Sequence, residues 1–410
     1  MDTTSVVVVG AGPAGLAVSG CLTEAGVDHV ILERHHVGHS WRRERWDTLR
    51  TLTPNWMNGL PRLPYRGPDP DGFMTAIEVA DLVVTYAGSI AAPVVTGTAV
   101  AAIRTGRRGH VVEADTGRWA ADAIVLATGP GESRVPALAA ELPARIRQVC
   151  AVDYRNPAQL DGDRVLIVGA SASGVQIADE VARSGRHVTL AVGEHVRLPR
   201  TYRGRDILWW MQAMGVSSRR WDDDIDDLTR ARQVPSPQLI GTPERRTLDL
   251  GTLRRAGVEL VGRLVGVSGG RLQCAGSLAN LVANADLKQA RLLDQVDEFI
   301  AKAGIAASRP DRPQATDVTT PPTSLDSSQF DTVVWATGHR HSPPQLDPVH
   351  LDRWTRIVHD GGILRTPGLF AVGLPFLRRR SSTFLSGIAR DAVELSIAIR
   401  QHLDRVAAAA

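Results

Sequence analysis

The N-terminal stretch Ser5-Val6-Val7-Val8-Val9-Gly10-Ala11-Gly12-Pro13-Ala14-Gly15 decides how the rest of the chain is read. Its β-branched run predicts a strand over residues 5–9, apolar on both faces as in a buried parallel sheet. Residues 16–25 have helical spacing, Gly26 breaks it, and a second strand over residues 30–32 ends at Glu33. Gly10 permits a tight turn, Gly12 lets a pyrophosphate approach the backbone, and Gly15 lets the helix pack closely on the strand. The helix N-terminus then offers unpaired N–H groups to phosphate. Glu33 stands where an acid bonds ribose hydroxyls.

The same order recurs further on. Residues 164–168 form an apolar strand that enters Gly169-Ala170-Ser171-Ala172-Ser173-Gly174, followed by a helical stretch over 175–184, Gly185 and a strand over 187–192. Ser171 replaces the middle glycine and is still small. No acid ends this last strand; Gly193 does, with Glu194 after it and Arg197 and Arg200 nearby. A cation near the ribose suits a 2′-phosphate, so NADPH is expected over NADH. Two dinucleotide folds imply two dinucleotides: FAD at the turn with the acid, NADPH at the turn without it, and hydride transfer between them.

Length and composition agree. At about 150 residues per domain, 410 residues make two or three domains. The chain is 43% apolar and 22% charged, which fits a folded globular protein. Its net charge of +3 is too weak and mixed for nucleic acid. Cys21, Cys150 and Cys274 form no CxxC pair, which excludes a local dithiol centre or zinc knuckle, and so sparse a set suits a reducing cytoplasm. No signal peptide, integral membrane span or metal site is read. Strand-to-turn pairs at Ala127-Thr128-Gly129 and Ala336-Thr337-Gly338 flank the second nucleotide motif, and a late strand over 368–372 ends at Gly373 before a helix over 383–402. The expected architecture is therefore α/β, with two Rossmann-like domains: an NADPH domain over 155–329, carrying a helical insertion at about 275–303, inserted into an FAD domain split between 1–154 and 330–410.

These residues carry a family resemblance. Gly10 to Gly15, the stretch Trp41-Arg42-Arg43-Glu44-Arg45-Trp46-Asp47-Thr48-Leu49 continuing to Thr53-Pro54 and Leu60-Pro61, Gly169 to Gly174, and Ala336-Thr337-Gly338-His339 resemble the class B flavin monooxygenases, in their YUCCA-like and small bacterial branch. The resemblance implies that NADPH reduces FAD, that the reduced flavin takes up O2 as a C4a-(hydro)peroxyflavin, and that one oxygen atom passes to a small organic substrate, with N- or S-oxygenation favoured over Baeyer–Villiger insertion. The alternatives are a reductase or oxidase releasing H2O2, and a non-enzymatic flavin-binding redox sensor. In the family the segment matching residues 41–54 wraps the isoalloxazine, which makes Asn55 the candidate catalytic group, its amide directed at the oxygen. The expected FAD contacts are Gly10, Gly12, Pro13, Ala14, Gly15 and Glu33, then Arg34, Trp41, Arg42 and Val100, then Ala127, Gly129, Gly373 and Leu374. The expected NADPH contacts are Gly169, Ser171, Ala172, Ser173, Gly174, Arg197, Arg200 and Gly338.

The sequence departs from the family fingerprint between the domains. The aligned positions are Ala144, Ile146, Cys150 and Tyr154, and only the tyrosine survives. Three further features have more than one reading. The apolar face over 277–302 packs on its own chain, or forms a homodimer seam or a lid; the proline-rich residues 309–322 after it read as an extended linker. Arg378-Arg379-Arg380 is a solvated basic turn, or one that faces phosphate or an acidic substrate. Trp209-Trp210-Met211 is core or a channel wall.

Overall fold

The computed structural model describes residues 1–106, 109–318 and 320–409. Val6, Val7 and Val8 are fully buried and Val9 nearly so, which places the strand Asp2–Val9 at the centre of a sheet with both faces covered. It pairs in parallel with His29–Glu33 on one side and Gly117–Leu126 on the other. Val94–Thr96 extends this sheet beyond His29–Glu33. The late strand Leu369–Ala371 joins the end of Gly117–Leu126 in parallel, Leu369 opposite Ile124. The antiparallel strands Val100–Gly106 and Gly109–Ala114 hang from its other half. The helices Pro13–Glu24 and Leu385–Ala409 cover one face, where Leu16, Val18 and Leu22 meet Ala392, Leu395 and Ile399. Such side chains each contribute about 1.5–3 kcal/mol through burial.

The second sheet is wholly parallel, in the order Glu259–Gly262, His187–Val192, Arg164–Val168, Thr332–Trp335, Arg147–Cys150. The helix Ala172–Arg183 packs on one face through Val175, Ile177 and Val181. The fold is the expected pair of Rossmann-like units, but the strands divide differently from the expected boundaries at 154 and 329. Arg147–Cys150 is an edge strand of the second sheet, and Thr332–Trp335 lies within that sheet. The chain crosses between the units where Glu132–Ser133 pairs antiparallel with His339–Arg340. A strand as short and polar as Arg147–Cys150 does not declare in sequence which sheet it will join.

The insertion forms one helix, Leu278–Ala303. Its apolar face packs on its own chain: Leu293, Val296 and Ile300 meet Leu198, Tyr202, Leu208 and Trp210. The linker that follows carries Thr319, which lies outside the described residues, but Thr316 N–H donates to Asp286 on the helix at 2.8 Å. No helix of the described residues is long and apolar enough to cross a membrane.

Candidate active site

The first glycine turn is wedged between its helix and the Ala127 turn. Gly10 has φ +104°, and a Cβ there would lie 2.6 Å from Ala127 O. A Cβ on Gly15 would run into Gly10 O. Gly12 is different. It caps the helix Pro13–Glu24 with no side-chain bond, its backbone is extended (φ −74°, ψ 178°), and a Cβ there would meet no atom within 4 Å. The turn is thus closed on the protein side and open at Gly12, where the N–H groups of the helix's first turn point outward. Glu33 is pinned beside this opening: Oε2 accepts from Ala11 N–H at 2.8 Å and Oε1 from His35 N–H at 2.9 Å. Each oxygen keeps a lone pair for a ribose hydroxyl. These residues fit a dinucleotide. Gly373 also belongs here, since a Cβ on it would lie 2.9 Å from Ala14 Cβ, so the exit of Leu369–Ala371 abuts the same helix terminus. Leu374 is half-buried beside it, and Gly129 leaves the neighbouring turn with φ +70°.

Arg34 is exposed, and Arg42 pairs with Asp81 on the surface. Val100 opens its strand two residues beyond Thr98, whose N–H donates to Glu33 O at 2.9 Å.

The second turn repeats the first in atomic detail. Gly169 has φ +111°, and Cβ atoms on Gly169 and Gly174 would run into Ala336 O and Gly169 O. Ser171 caps the helix Ala172–Arg183 without using its side chain, which leaves this opening free as well; Ala172 is buried, Ser173 half-buried, and Gly338 stands open beside it.

Arg197 and Arg200 do not serve this opening. Arg197 is buried and committed to Asp249 at 2.7 Å, Asp286 at 2.7 Å and Gln314 O at 2.9 Å. It ties the insertion helix and linker to the second unit. Arg200 is fully buried, bonded to Asp206 at 2.6 Å and to Leu52 O at 2.8 Å. It joins the two units. Every guanidinium nitrogen of Arg197 is engaged, and Arg200, whose Nε alone lacks a partner, is fully buried, so neither presents an exposed donor to a second anion.

The stretch matching the family's flavin wrap runs from one unit to the other. Trp41 packs on the first core under the Arg45 guanidinium at 5.2 Å, and Trp46 lies in the second core. Asn55 is buried, and its Nδ2 donates to Asp69 O at 2.9 Å while Oδ1 has no partner. The free group is therefore an acceptor, which fits a donor on a ligand better than the oxygen expected from sequence. Beyond Asn55, Trp56 and Met57 line a cavity of about 120 Å³ with Gln212, Ser217, Ser218, Ser381, Ser386 and Arg390. Trp56 and Gln212 also line a wider cleft of about 570 Å³, with Pro70, Asp71, Arg205, Trp209 and Ala213. The tryptophan pair divides: Trp210 is core, its Nε1 donating to Tyr202 O at 2.7 Å, whereas Trp209 lines the cleft under Arg205. The cavity serines come from two distant segments, 217–218 and 381–386, and nothing in their local sequence marks them.

Arg380 of the arginine run is exposed, but its two neighbours are neither solvated nor turned to a phosphate. Arg378 and Arg379 are buried and both bind Glu394 of the C-terminal helix, which also holds Arg220 at 3.1 Å. Backbone bonds from Trp221 N–H to Arg378 O and from Arg380 N–H to Arg219 O join the same segments. Asp391 is fully buried 3.4 Å from Arg379, and burial pushes its carboxyl up to about 6. The folded chain then holds a proton that the unfolded chain releases between about pH 4 and pH 6, so this group removes stability as pH rises through that window. Asp391→Asn is expected to melt with the wild type near pH 4 and above it at pH 7. Equal melting temperatures at both would contradict this.

In the linker, Cys150 is half-buried at the strand end, where burial raises its thiol. Tyr154 is fully buried and its hydroxyl donates to Glu180 Oε2 at 3.2 Å.

Residues 7–205 match the family model described as pyridine nucleotide-disulphide oxidoreductase. An uncharacterised CzcO-like oxidoreductase of Geobacillus kaustophilus is 26% identical over 97% of this chain and 98% of its own. The indole-3-pyruvate monooxygenase YUCCA1 of Oryza sativa is 26% identical over 90% of this chain and 86% of its own. The chain is thus similar along most of its length to described oxidoreductases, a monooxygenase among them. A flavin-containing monooxygenase of Stenotrophomonas maltophilia, 22% identical, superposes with a TM-score of 0.66 over 99% of both chains, a likeness of fold. These likenesses support an oxidoreductase and flavoprotein that binds flavin and NADP(H).

Proposed function

We propose that this enzyme uses NADPH to reduce bound FAD and then transfers one atom of O2 to a nitrogen or sulfur of a small organic substrate. The balance is substrate, O2, NADPH and a proton giving oxygenated substrate, water and NADP+. The reading is carried by two matching cradles on one chain, with a cavity between the units that bear them. Gly10, Gly12, Pro13, Ala14 and Gly15 would seat the FAD pyrophosphate and Glu33 its ribose, with Trp41, Gly129, Gly373 and Leu374 along the molecule. Gly169, Ser171, Ala172, Ser173, Gly174 and Gly338 would seat NADPH. Bound flavin supplies the two-electron reduction and the activation of O2; the chain positions, hydrogen-bonds and shields. Asn55 Oδ1, buried and unpartnered, is the acceptor available to hold a donor. Trp56 and Met57 narrow the inner cavity and limit its water.

The test follows NADPH oxidation and peroxide release together across nitrogen and sulfur nucleophiles. A true substrate is expected to accelerate NADPH oxidation while lowering the peroxide yield. Stoichiometric H2O2 with every compound would replace this reading with the oxidase one, and yellow protein that NADPH fails to bleach would replace it with the redox sensor.

A further inference from the structure

We propose that Arg263 reads the 2′-phosphate of NADPH and, set against Glu194, decides which nicotinamide coenzyme this enzyme accepts. The inference rests on the second cradle holding that coenzyme. In an open parallel sheet the adenosine ribose lies beyond the carboxyl end of the strand that follows the cradle helix. Here that strand is His187–Val192, and it leads into Gly193 and Glu194. Its neighbour Glu259–Gly262 runs parallel with Val192 opposite Gly262, so Gly193 and Arg263 leave the sheet side by side. A Cβ built on Gly193 would stand 3.5 Å from Arg263 Nε, so the guanidinium lies over backbone that carries no side chain. The Arg263 carbonyl accepts Ala275 N–H at 2.9 Å, which holds its backbone in place. Its side chain is exposed, and among the described residues it has no ion-pair partner. Other cations of this unit are committed: Arg197 is buried on Asp249 and Asp286, and Arg183 and Arg246 both sit on Asp179 of the cradle helix.

A guanidinium meets phosphate through a planar fork of donors. Glu194, exposed at the same edge, has the opposite preference, since a carboxylate accepts from a ribose 2′-hydroxyl and repels a 2′-phosphate. The two charges therefore pull coenzyme choice in opposite directions.

The experiment uses the flavin-loaded enzyme. Calorimetry gives the affinities of 2′,5′-ADP and 5′-AMP, and rapid mixing gives kcat/KM for flavin reduction by NADPH and NADH. Arg263→Gln is expected to weaken 2′,5′-ADP by about tenfold to a hundredfold, as for a lost hydrogen bond to a charged group. It should leave 5′-AMP unchanged and lower the NADPH-to-NADH ratio by the same factor. Arg263→Lys should retain part of the preference, and Glu194→Gln should raise the ratio by about two- to fivefold, as for an exposed charge pair. The proposal is overturned if the wild type binds 2′,5′-ADP no more tightly than 5′-AMP. It is equally overturned if Arg263→Gln alters both nucleotides alike or neither. If neither coenzyme reduces the flavin, the monooxygenase reading fails, while the two nucleotide affinities still decide the role of Arg263.

Discussion

Replacing Gly12 with valine is expected to yield a folded, colourless protein. The backbone at Gly12 is extended and open to any residue, and a Cβ there meets no protein atom within 4 Å. The apoprotein should therefore melt close to the wild-type apoprotein. The side chain would instead fill the space before the helix N–H groups, where the pyrophosphate is proposed to lie. Losing two hydrogen bonds to a charged group corresponds to a fall in FAD affinity of about a hundredfold to ten-thousandfold. The measurement is flavin content after saturation with FAD, alongside near-UV circular dichroism of the apoprotein. A yellow Gly12→Val protein at full occupancy would remove FAD from this cradle. Gly15→Ala is the contrasting control. Its Cβ would run into Gly10 O, so the damage falls on the fold itself, at about 1–3 kcal/mol or more for overpacking. The motif thus contains one glycine kept small for the ligand and one kept small for the protein.

Arg197→Ala is expected to destabilise the enzyme by about 3–5 kcal/mol, the usual consequence of stripping one partner from a buried ion pair. Asp249 and Asp286 would be left facing each other across an empty site, and Gln314 O would lose its donor. For a unit of this size that is a fall in melting temperature of about 10 °C. The insertion helix and its linker should loosen first, visible as faster amide exchange over residues 278–303. The NADPH-to-NADH ratio of the surviving folded fraction should not move. A stable variant with a collapsed preference for NADPH would restore the 2′-phosphate role that the sequence suggested for Arg197 and would contradict the structural account.

The two cases show which features can be read along the chain and which cannot. Gly10, Gly15 and Glu33 act within one strand–turn–helix–strand unit, so their spacing is itself the geometry. The helix face over Leu278–Ala303 was equally legible as a face, because periodicity is local, though only the packing shows that Tyr202 and Trp210 cover it. Arginines are harder. Arg197, Arg200, Arg378 and Arg379 read as surface cations near phosphate, because exposure is the ordinary fate of that side chain. Their burial depends on Asp249, Asp286, Asp206 and Glu394, and the first of these pairs spans 52 residues. Arg263 had the opposite fate: it drew no notice in sequence, and the register of two strands brought it beside Gly193.

Sequence alone determined that this chain folds as two nucleotide-cradling units and which residues turn each cradle, because a glycine's missing side chain and a valine run's two buried faces act over a few residues. Tertiary structure alone decided which strands belong to which unit, which arginines are free, and which serines and tryptophans meet between the units. Those outcomes rest on pairing and on charge neutralisation between segments far apart in the chain, and no local pattern encodes the partner.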